Sequence, residues 1–114
     1  MNEILFERFS RTDEFKDWLK RLDYNIRALI NSKLDEYERN GCLPNTAGLI
    51  KKRGGVGELR FHFGPGYRIY FCRYGKILIL LLCAGDKDTQ STDLVTAKVI
   101  KARELKKLKP KNGR

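Results

Sequence analysis

The sequence predicts an α+β fold in which a strand and two helices precede a three-strand antiparallel meander and a C-terminal helix. Two observations support this prediction. Apolar residues recur at helical spacing before residue 41 and again from residue 95, whereas the segment between residues 57 and 84 has strand periods separated by glycine turns. We expect the paired helices to cover one face of the antiparallel sheet and the other face to be partly open to solvent.

The N-terminal segment predicts a short strand followed by a helix. Glu3 to Arg8 alternates weakly and carries Ile4 and Phe6 on one face, as a short strand does. Ser10 or Thr12 can then cap the first helix, because a side-chain oxygen at that position accepts a free backbone N–H. The predicted buried face of this helix consists of Phe15, Trp18, Leu19 and Leu22.

A second helix follows at once, which predicts a helical hairpin. Asp23 can cap it, and Asn40-Gly41 ends it. Its apolar stripe consists of Ile26, Leu29, Ile30, Leu34 and Tyr37. The composition of residues 42–55 then predicts a loop, because this segment contains Pro44, three glycines and a basic cluster.

The meander is predicted from residue 57 to residue 84. Its strands are Gly57 to Phe63, Tyr67 to Arg73 and Lys76 to Ala84, joined by turns at Gly64-Pro65-Gly66 and Tyr74-Gly75. The third strand is apolar at every position from residue 77, which favours a central strand covered on both faces.

The last element predicted is a helix with a basic end. Ser91 or Thr92 can cap it, and its predicted buried face carries Val95, Val99, Ala102 and Leu105. The tail from about residue 106 to residue 114 is almost wholly basic.

Composition indicates one domain, residues 1–114, and a polyanionic partner. A formal net charge of +10 is large for 114 residues and favours nucleic acid over a membrane surface. The three cysteines lack metal-ligand or disulfide spacing, so we expect no metal and no cofactor. Neither an export signal nor a membrane span is predicted, and we expect a cytoplasmic protein.

Two stretches of this sequence, GGVGELRFHFGPGYRIYF and ILILLLCAGDKDTQSTDL, resemble the RelE/ParE superfamily of toxins. Within it the chain is most similar to the phage Gp49-like, HigB-like branch of addiction-module killer proteins. The Gly-Tyr-Arg strand opening is common in the superfamily, and the stretch from Gly85 to Gln90 is more particular to this branch.

The resemblance implies the toxin of a type II toxin–antitoxin system. Members of the superfamily are typically endoribonucleases that cut messenger RNA in the ribosomal A site, without a cofactor. The implied partner is a cognate antitoxin, often of helix-turn-helix type, and operator DNA would be met only through that antitoxin. By resemblance Arg68 takes the place of an arginine on the scissile phosphate, and Arg60 that of a basic residue on the preceding strand.

The strand period and the short turn predict where these residues meet. Glu58, Arg60 and His62 share the wet face of their strand, and Arg68 and Tyr70 share one face of the next. Because Gly64-Pro65-Gly66 makes these strands antiparallel neighbours, we expect their polar faces to form one wet surface.

Each of these residues has a possible role in cleavage or binding. Arginines stabilise charge on a phosphorane, and His62 can act as an acid or base near neutral pH. Lys87 can hold a phosphate or protonate the leaving group, with Asp86 and Asp88 either steering it or capping the helix. The predicted catalytic residues are Arg68, Arg60, Lys87 and His62, and the predicted nucleic-acid contacts are Tyr70, Tyr67, Lys51, Lys52, Arg53 and Arg73.

Two other function classes stay open on the sequence. A ParE-like protein would instead poison DNA gyrase by binding, and a non-catalytic module would bind nucleic acid without toxicity. No pair of acid and base, such as two histidines, is evident to decide between them.

Overall fold

The computed structural model describes residues 4–44, 49–50 and 54–108. The strands are β1 (Ile4–Leu5), β2 (Arg8–Arg11), β3 (Cys42–Leu43), β4 (Leu49–Ile50), β5 (Val56–Phe61), β6 (Tyr67–Tyr74) and β7 (Leu78–Asp86). The helices are α1 (Asp13–Lys20), α2 (Tyr24–Asn40) and α3 (Gln90–Leu108), the last preceded by a 3₁₀ turn over Lys87–Thr89.

The main sheet has five strands in the order β2-β7-β6-β5-β4. The meander β5-β6-β7 is antiparallel throughout, as predicted, with β7 in the interior of the sheet. The N-terminal strand β2 pairs with β7 in parallel, so the sheet is mixed at that edge. The α+β fold class predicted from the sequence is thus confirmed.

The predicted first strand is divided in two. β1 is not part of the main sheet; it pairs with β3 in a separate two-stranded sheet, which places Ile4 opposite Leu43. Phe6 then donates its backbone N–H to the carbonyl oxygen of Gly41 at 2.9 Å, and the chain continues into β2. The predicted loop over residues 42–55 was also wrong in part, because β3 and β4 lie within it. Two-residue strands are too short for an alternating pattern to reveal.

The helical hairpin α1–α2 packs on one face of the sheet, as predicted. Thr12 is the N-cap of α1, where its Oγ1 accepts from the backbone N–H of Phe15 at 3.1 Å and donates to the carbonyl oxygen of Leu82 at 2.6 Å. The hydrogen bond to Leu82 fixes the start of α1 on the interior strand β7. The largest fully buried side chains of this core are Phe15, Ile30, Leu34, Leu43, Leu59, Ile69, Phe71, Ile79 and Leu81.

On the opposite face of the sheet, α3 packs over β6 and β7 and leaves part of β5 open to solvent. Ala97 and Ile100 are buried against Tyr70, Cys72 and Leu82. The predicted helix face was wrong: Val95 and Val99 are 64% and 65% exposed, and Ala102 is also exposed, although Leu105 does pack against this core. Several stripes of α3 contain apolar residues, so the sequence could not decide which one faces the sheet.

Among the residues predicted as possible caps of the last helix, Asp86 caps the 3₁₀ turn that leads into α3. Asp86, rather than Ser91 or Thr92, is the capping residue, and its Oδ1 accepts from the backbone N–H groups of Asp88 and Thr89. The helical turn therefore begins directly at the end of β7, and Lys87 is held at that junction.

An ion pair joins the two helical layers around the edge of the sheet. The guanidinium of Arg103 on α3 donates to both oxygens of Glu14 on α1, at 2.6 and 2.8 Å. Within the described ranges, no helix combines the length and apolar character needed to cross a bilayer.

Candidate functional site

An open cleft of about 250 Å³ lies beside the turn between β5 and β6. The residues that line it are Arg60, Phe61, His62, Gly64, Pro65, Gly66, Tyr67, Arg68 and Lys87. The structure thus brings together the residues predicted to be catalytic, Arg60, His62, Arg68 and Lys87. Their roles in a reaction remain predictions.

Three neighbouring strands position these side chains. Arg60 on β5 lies directly opposite Arg68 on β6, and Arg68 lies opposite Gly85 on β7. Directly opposed residues of antiparallel strands project to the same face of a sheet. Lys87 follows two residues after Gly85, in the 3₁₀ turn, and completes the basic rim of the cleft.

A buried carboxylate lies beneath the two arginines. Glu58 is 5% exposed, and its Oε2 accepts a hydrogen bond from Nε of Arg60 at 2.5 Å and from Nε of Arg68 at 3.3 Å. Glu58 was not among the site residues predicted from the sequence, and its predicted position on the wet face of its strand was wrong, because the side chain is buried. The available signal was its spacing of two residues from Arg60, which places both on one face.

The two arginines are held to different depths. The side chain of Arg60 is 51% exposed and that of Arg68 is 17% exposed. Nη1 of Arg68 is buried and has no hydrogen-bond partner among the residues that the structure describes. Arg60 therefore faces solvent at the mouth of the cleft, and Arg68 forms its inner wall.

The groups able to transfer protons lie at the exposed rim. His62 and Lys87 are both exposed, and both line the cleft with the arginines. An exposed imidazole or ammonium group can approach a bound substrate without displacing the core. Among the described residues, no group of three or more His, Cys, Asp or Glu side chains is placed to hold a metal ion.

Tyr67 forms an aromatic wall between the cleft and a second hollow. Its ring meets those of Trp18 and Phe63 at centroid distances of 5.9 Å each. The second hollow, of about 480 Å³, is lined by Trp18, Arg21, Leu22, Pro65, Tyr67, Ala84, Gly85, Asp86, Thr89 and Asp93. Tyr67 was predicted to contact nucleic acid, and its half-buried side chain is accessible to such a partner.

The expectation that Tyr70 lies on the wet surface was wrong. Tyr70 is fully buried in the core beneath α3, although it shares a face with Arg68. Burial, together with the charge of Glu58, raises the pKa of the Tyr70 phenol to about 12. The ring cannot stack on a base because α3 covers it.

Arg73 is not brought to the cleft either. It lies near the other end of β6, opposite Ile79, and its Nη2 donates to the carbonyl oxygen of Leu5 at 3.2 Å. The predicted contacts at Lys51, Lys52 and Arg53 lie outside the described residues, as does the tail from residue 109.

The matching family model is described as phage-derived protein Gp49-like, and it covers residues 17–107. An uncharacterized protein of Haemophilus influenzae is 35% identical over 92 residues, which are 80% of this chain and 88% of that protein. Among solved structures, a free-state mutant of the Escherichia coli toxin RelE, with two arginines changed to alanine, matches with a TM-score of 0.62. That match covers 83% of this chain and 96% of the RelE chain at 11% identity, and it shows a RelE-like fold.

Proposed function

We propose that this chain, which belongs to the phage-derived Gp49-like family and has a RelE-like fold, is a toxin that cleaves messenger RNA on the ribosome. The observation that carries this proposal is the cleft in which Arg60, Arg68, His62 and Lys87 meet. Paired guanidinium groups beside exposed proton-transfer groups are suited to a phosphodiester substrate.

The reaction that these groups suit uses the RNA itself as nucleophile. The 2′-hydroxyl gives up its proton and its oxygen attacks the adjacent phosphorus. The bond from phosphorus to the 5′-oxygen breaks, and that oxygen takes up a proton. The products are a 2′,3′-cyclic phosphate and a 5′-hydroxyl, so the protein must move two protons and stabilise the phosphorane.

The arginines stabilise the phosphorane. A guanidinium donates two parallel hydrogen bonds to phosphate oxygens and keeps its charge at any relevant pH. Arg68 contacts the scissile phosphate from the inner wall, and Arg60 contacts it from the mouth of the cleft. Because donors of this kind act on developing charge, removing one commonly lowers kcat by about 100- to 1000-fold.

His62 and Lys87 serve the proton transfers from opposite sides of the cleft. His62 follows Arg60 by two residues, and Lys87 lies at the junction of β7 with α3. In this proposal His62 accepts the proton of the 2′-hydroxyl and Lys87 protonates the leaving 5′-oxygen. A lysine ammonium is also a strong point charge for the same phosphate.

Binding of the rest of the RNA depends on stacking and on charge. Tyr67 presents an aromatic wall beside the cleft, where a splayed base can stack. The exposed Lys106 and Lys107 at the end of α3 add positive charge that can follow the RNA backbone. Lys51, Lys52 and Arg53, which lie outside the described residues, are further proposed contacts on the basis of their charge.

The proposal includes the partner and the compartment. The toxin acts in the cytoplasm, where ribosomes translate, and a cognate antitoxin of helix-turn-helix type keeps it inactive. Operator DNA is contacted through that antitoxin. A neighbouring open reading frame for such a protein would support this part of the proposal, and co-purification of the two chains would test it directly.

The decisive experiment is controlled expression of the chain in a bacterial host, with growth and message ends followed together. We expect growth arrest and new message ends within translated regions, mapped by primer extension, and we expect Arg68→Ala to abolish both. Arg39→Ala is the matched control, because Arg39 is exposed at the end of α2 and outside the cleft. Antitoxin binding should survive in both variants.

Other outcomes would identify other functions. Unchanged toxicity in Arg68→Ala would contradict the proposal. Damaged DNA with intact messages would indicate a gyrase poison. Normal growth on expression of the wild-type chain would indicate a binding module without toxicity.

A further inference from the structure

Glu58 is a buried acid in a strongly basic site. It is 5% exposed, and it lies on β5 on the same face as Arg60, with Arg68 on the adjacent strand. Acidic side chains are almost never buried unless they are paired. A single oxygen, Oε2, accepts from Nε of Arg60 and from Nε of Arg68. Glu58 therefore joins the two arginines through one atom.

The arrangement offsets an electrostatic cost of the cleft. Arg60 and Arg68 are direct cross-strand partners, and like charges in that position repel each other. A carboxylate between the two guanidinium groups reduces their combined charge from two to one. Without it, the two side chains would move apart toward solvent, and the more exposed Arg60 would move first.

The choice of donor atoms also sets the orientation of each guanidinium. Glu58 engages Nε, the inner donor of each arginine. For the exposed Arg60 this leaves Nη1 and Nη2 as the fork that can bind a phosphate, and for Arg68, whose Nη1 is buried, it leaves Nη2. The hydrogen bond from Nε therefore holds the inner part of the Arg68 guanidinium on Glu58, while its Nη1 has no partner within the described part of the chain.

We propose that Glu58 is a positioning residue that holds Arg60 and Arg68 side by side, so that both guanidinium groups can donate to one RNA phosphate. The inference rests on the proposed function of the cleft. Glu58 touches neither the phosphate nor a transferred proton in this scheme, and it acts through the two arginines.

The first test replaces Glu58 with its neutral isostere. Glu58→Gln keeps the size of the side chain but removes the charge that holds the arginines. We expect kcat for cleavage of messenger RNA on ribosomes to decrease about 100-fold, since small misplacements of binding groups have effects of that size. The pH–rate profile should keep its shape, because no proton donor or acceptor is lost. Glu36→Gln, on the exposed face of α2, is the matched control.

A double-mutant cycle separates positioning from other roles. If Glu58 acts through its arginines, the effect of Glu58→Gln should shrink to a few-fold in an Arg60→Ala background, because residues that act as a unit are not additive. Equal effects in both backgrounds would overturn the proposal. Loss of the acidic limb of the pH–rate profile in Glu58→Gln would also overturn it, because that result identifies a proton acceptor.

A spectroscopic measurement on the wild-type chain covers the case in which Glu58→Gln does not fold. Nitrogen-15 NMR of arginine side chains should show two slowly exchanging Nε–H groups, assigned to Arg60 and Arg68 by their alanine variants. Rapid exchange of both would contradict the arrangement. The NMR measurement does not depend on nuclease activity. In the activity assay, an inactive wild-type chain would count against the proposed function. An active wild-type chain with an equally active Glu58→Gln variant would instead count against the role of Glu58.

Discussion

Arg60 and Arg68 are direct partners across β5 and β6, yet the side chain of Arg60 is three times as exposed as that of Arg68, at 51% against 17%. The difference arises because Arg60 is at the mouth of the cleft and Arg68 is on its inner wall. Two residues of one type and one face are therefore expected to respond differently to the same substitution.

Lysine substitutions should reveal this difference. Arg68→Lys should lower cleavage about 100-fold, nearly as much as alanine, because lysine lacks both the Nε donor to Glu58 and the planar fork. Arg60→Lys should cost about 10-fold or less, since an exposed ammonium can still reach a phosphate. Single-turnover cleavage on ribosomes would measure both rates, with Arg39→Lys as the control. Equal losses of cleavage rate in Arg68→Lys and Arg60→Lys would contradict the proposed difference in depth between the two arginines.

The two tyrosines near the start of β6 should differ in the same assay. Tyr70→Phe should leave cleavage unchanged and alter the free energy of unfolding by no more than about 1 kcal/mol, because its buried hydroxyl has no hydrogen-bond partner among the described residues. Tyr67→Ala should weaken RNA binding by about 10-fold, through loss of one stacking surface. Fluorescence anisotropy with a short RNA and urea unfolding would measure the two quantities. A binding defect in Tyr70→Phe would show that the ring becomes accessible.

The ion pair between Glu14 and Arg103 should make stability depend on pH. Hydrogen bonding to Arg103 lowers the pKa of Glu14 from 4.5 to about 2. Because this pKa is lower in the folded than in the unfolded chain, the stabilisation is present above pH 4.5 and is lost as the pH falls toward 2. Glu14→Gln should slightly lower the midpoint of urea unfolding at pH 7, and the difference from wild type should vanish near pH 2. The exposed Asp35→Asn is a control for general charge effects. A difference that persists at low pH would assign the effect to packing instead.

The cysteines should differ in reactivity according to burial. Burial raises the pKa of the Cys72 thiol to about 11 and that of Cys83 to about 12, whereas Cys42 is half-buried. Because the thiolate is the reactive form, a thiol reagent at pH 7.5 should label Cys42 in the folded chain and all three residues in denaturant. Mass spectrometry of labelled peptides would locate each site. Fast labelling of Cys72 or Cys83 in the folded chain would indicate that α3 opens readily.

Much of the candidate cleft followed from local pattern. Period-two alternation assigned Arg60 and Arg68 to faces of their strands, and the short turn at Gly64-Pro65-Gly66 made those strands neighbours. These are rules of covalent geometry and hydrogen bonding, which hold wherever the strands lie in the fold. For the same reason the helical hairpin and the interior position of β7 were predicted correctly.

Local pattern failed where a second layer of structure decided the outcome. The alternation placed Tyr70 on one face with Arg68, and Glu58 on one face with Arg60, but it carried no information about how far α3 would cover that face. α3 covers Tyr70 and leaves Arg60 at an open cleft.

The sequence by itself thus determined the order of the helices and of the meander strands, and the residues that share each face of the meander, because both depend on short-range periodicity. The tertiary structure alone decided which part of a face is solvent and which is core, because that depends on the position of α3 relative to β6 and β7. This position turned a predicted base-stacking tyrosine into a core residue. It also left a glutamate that had been placed on a wet strand face buried beneath the two arginines it joins.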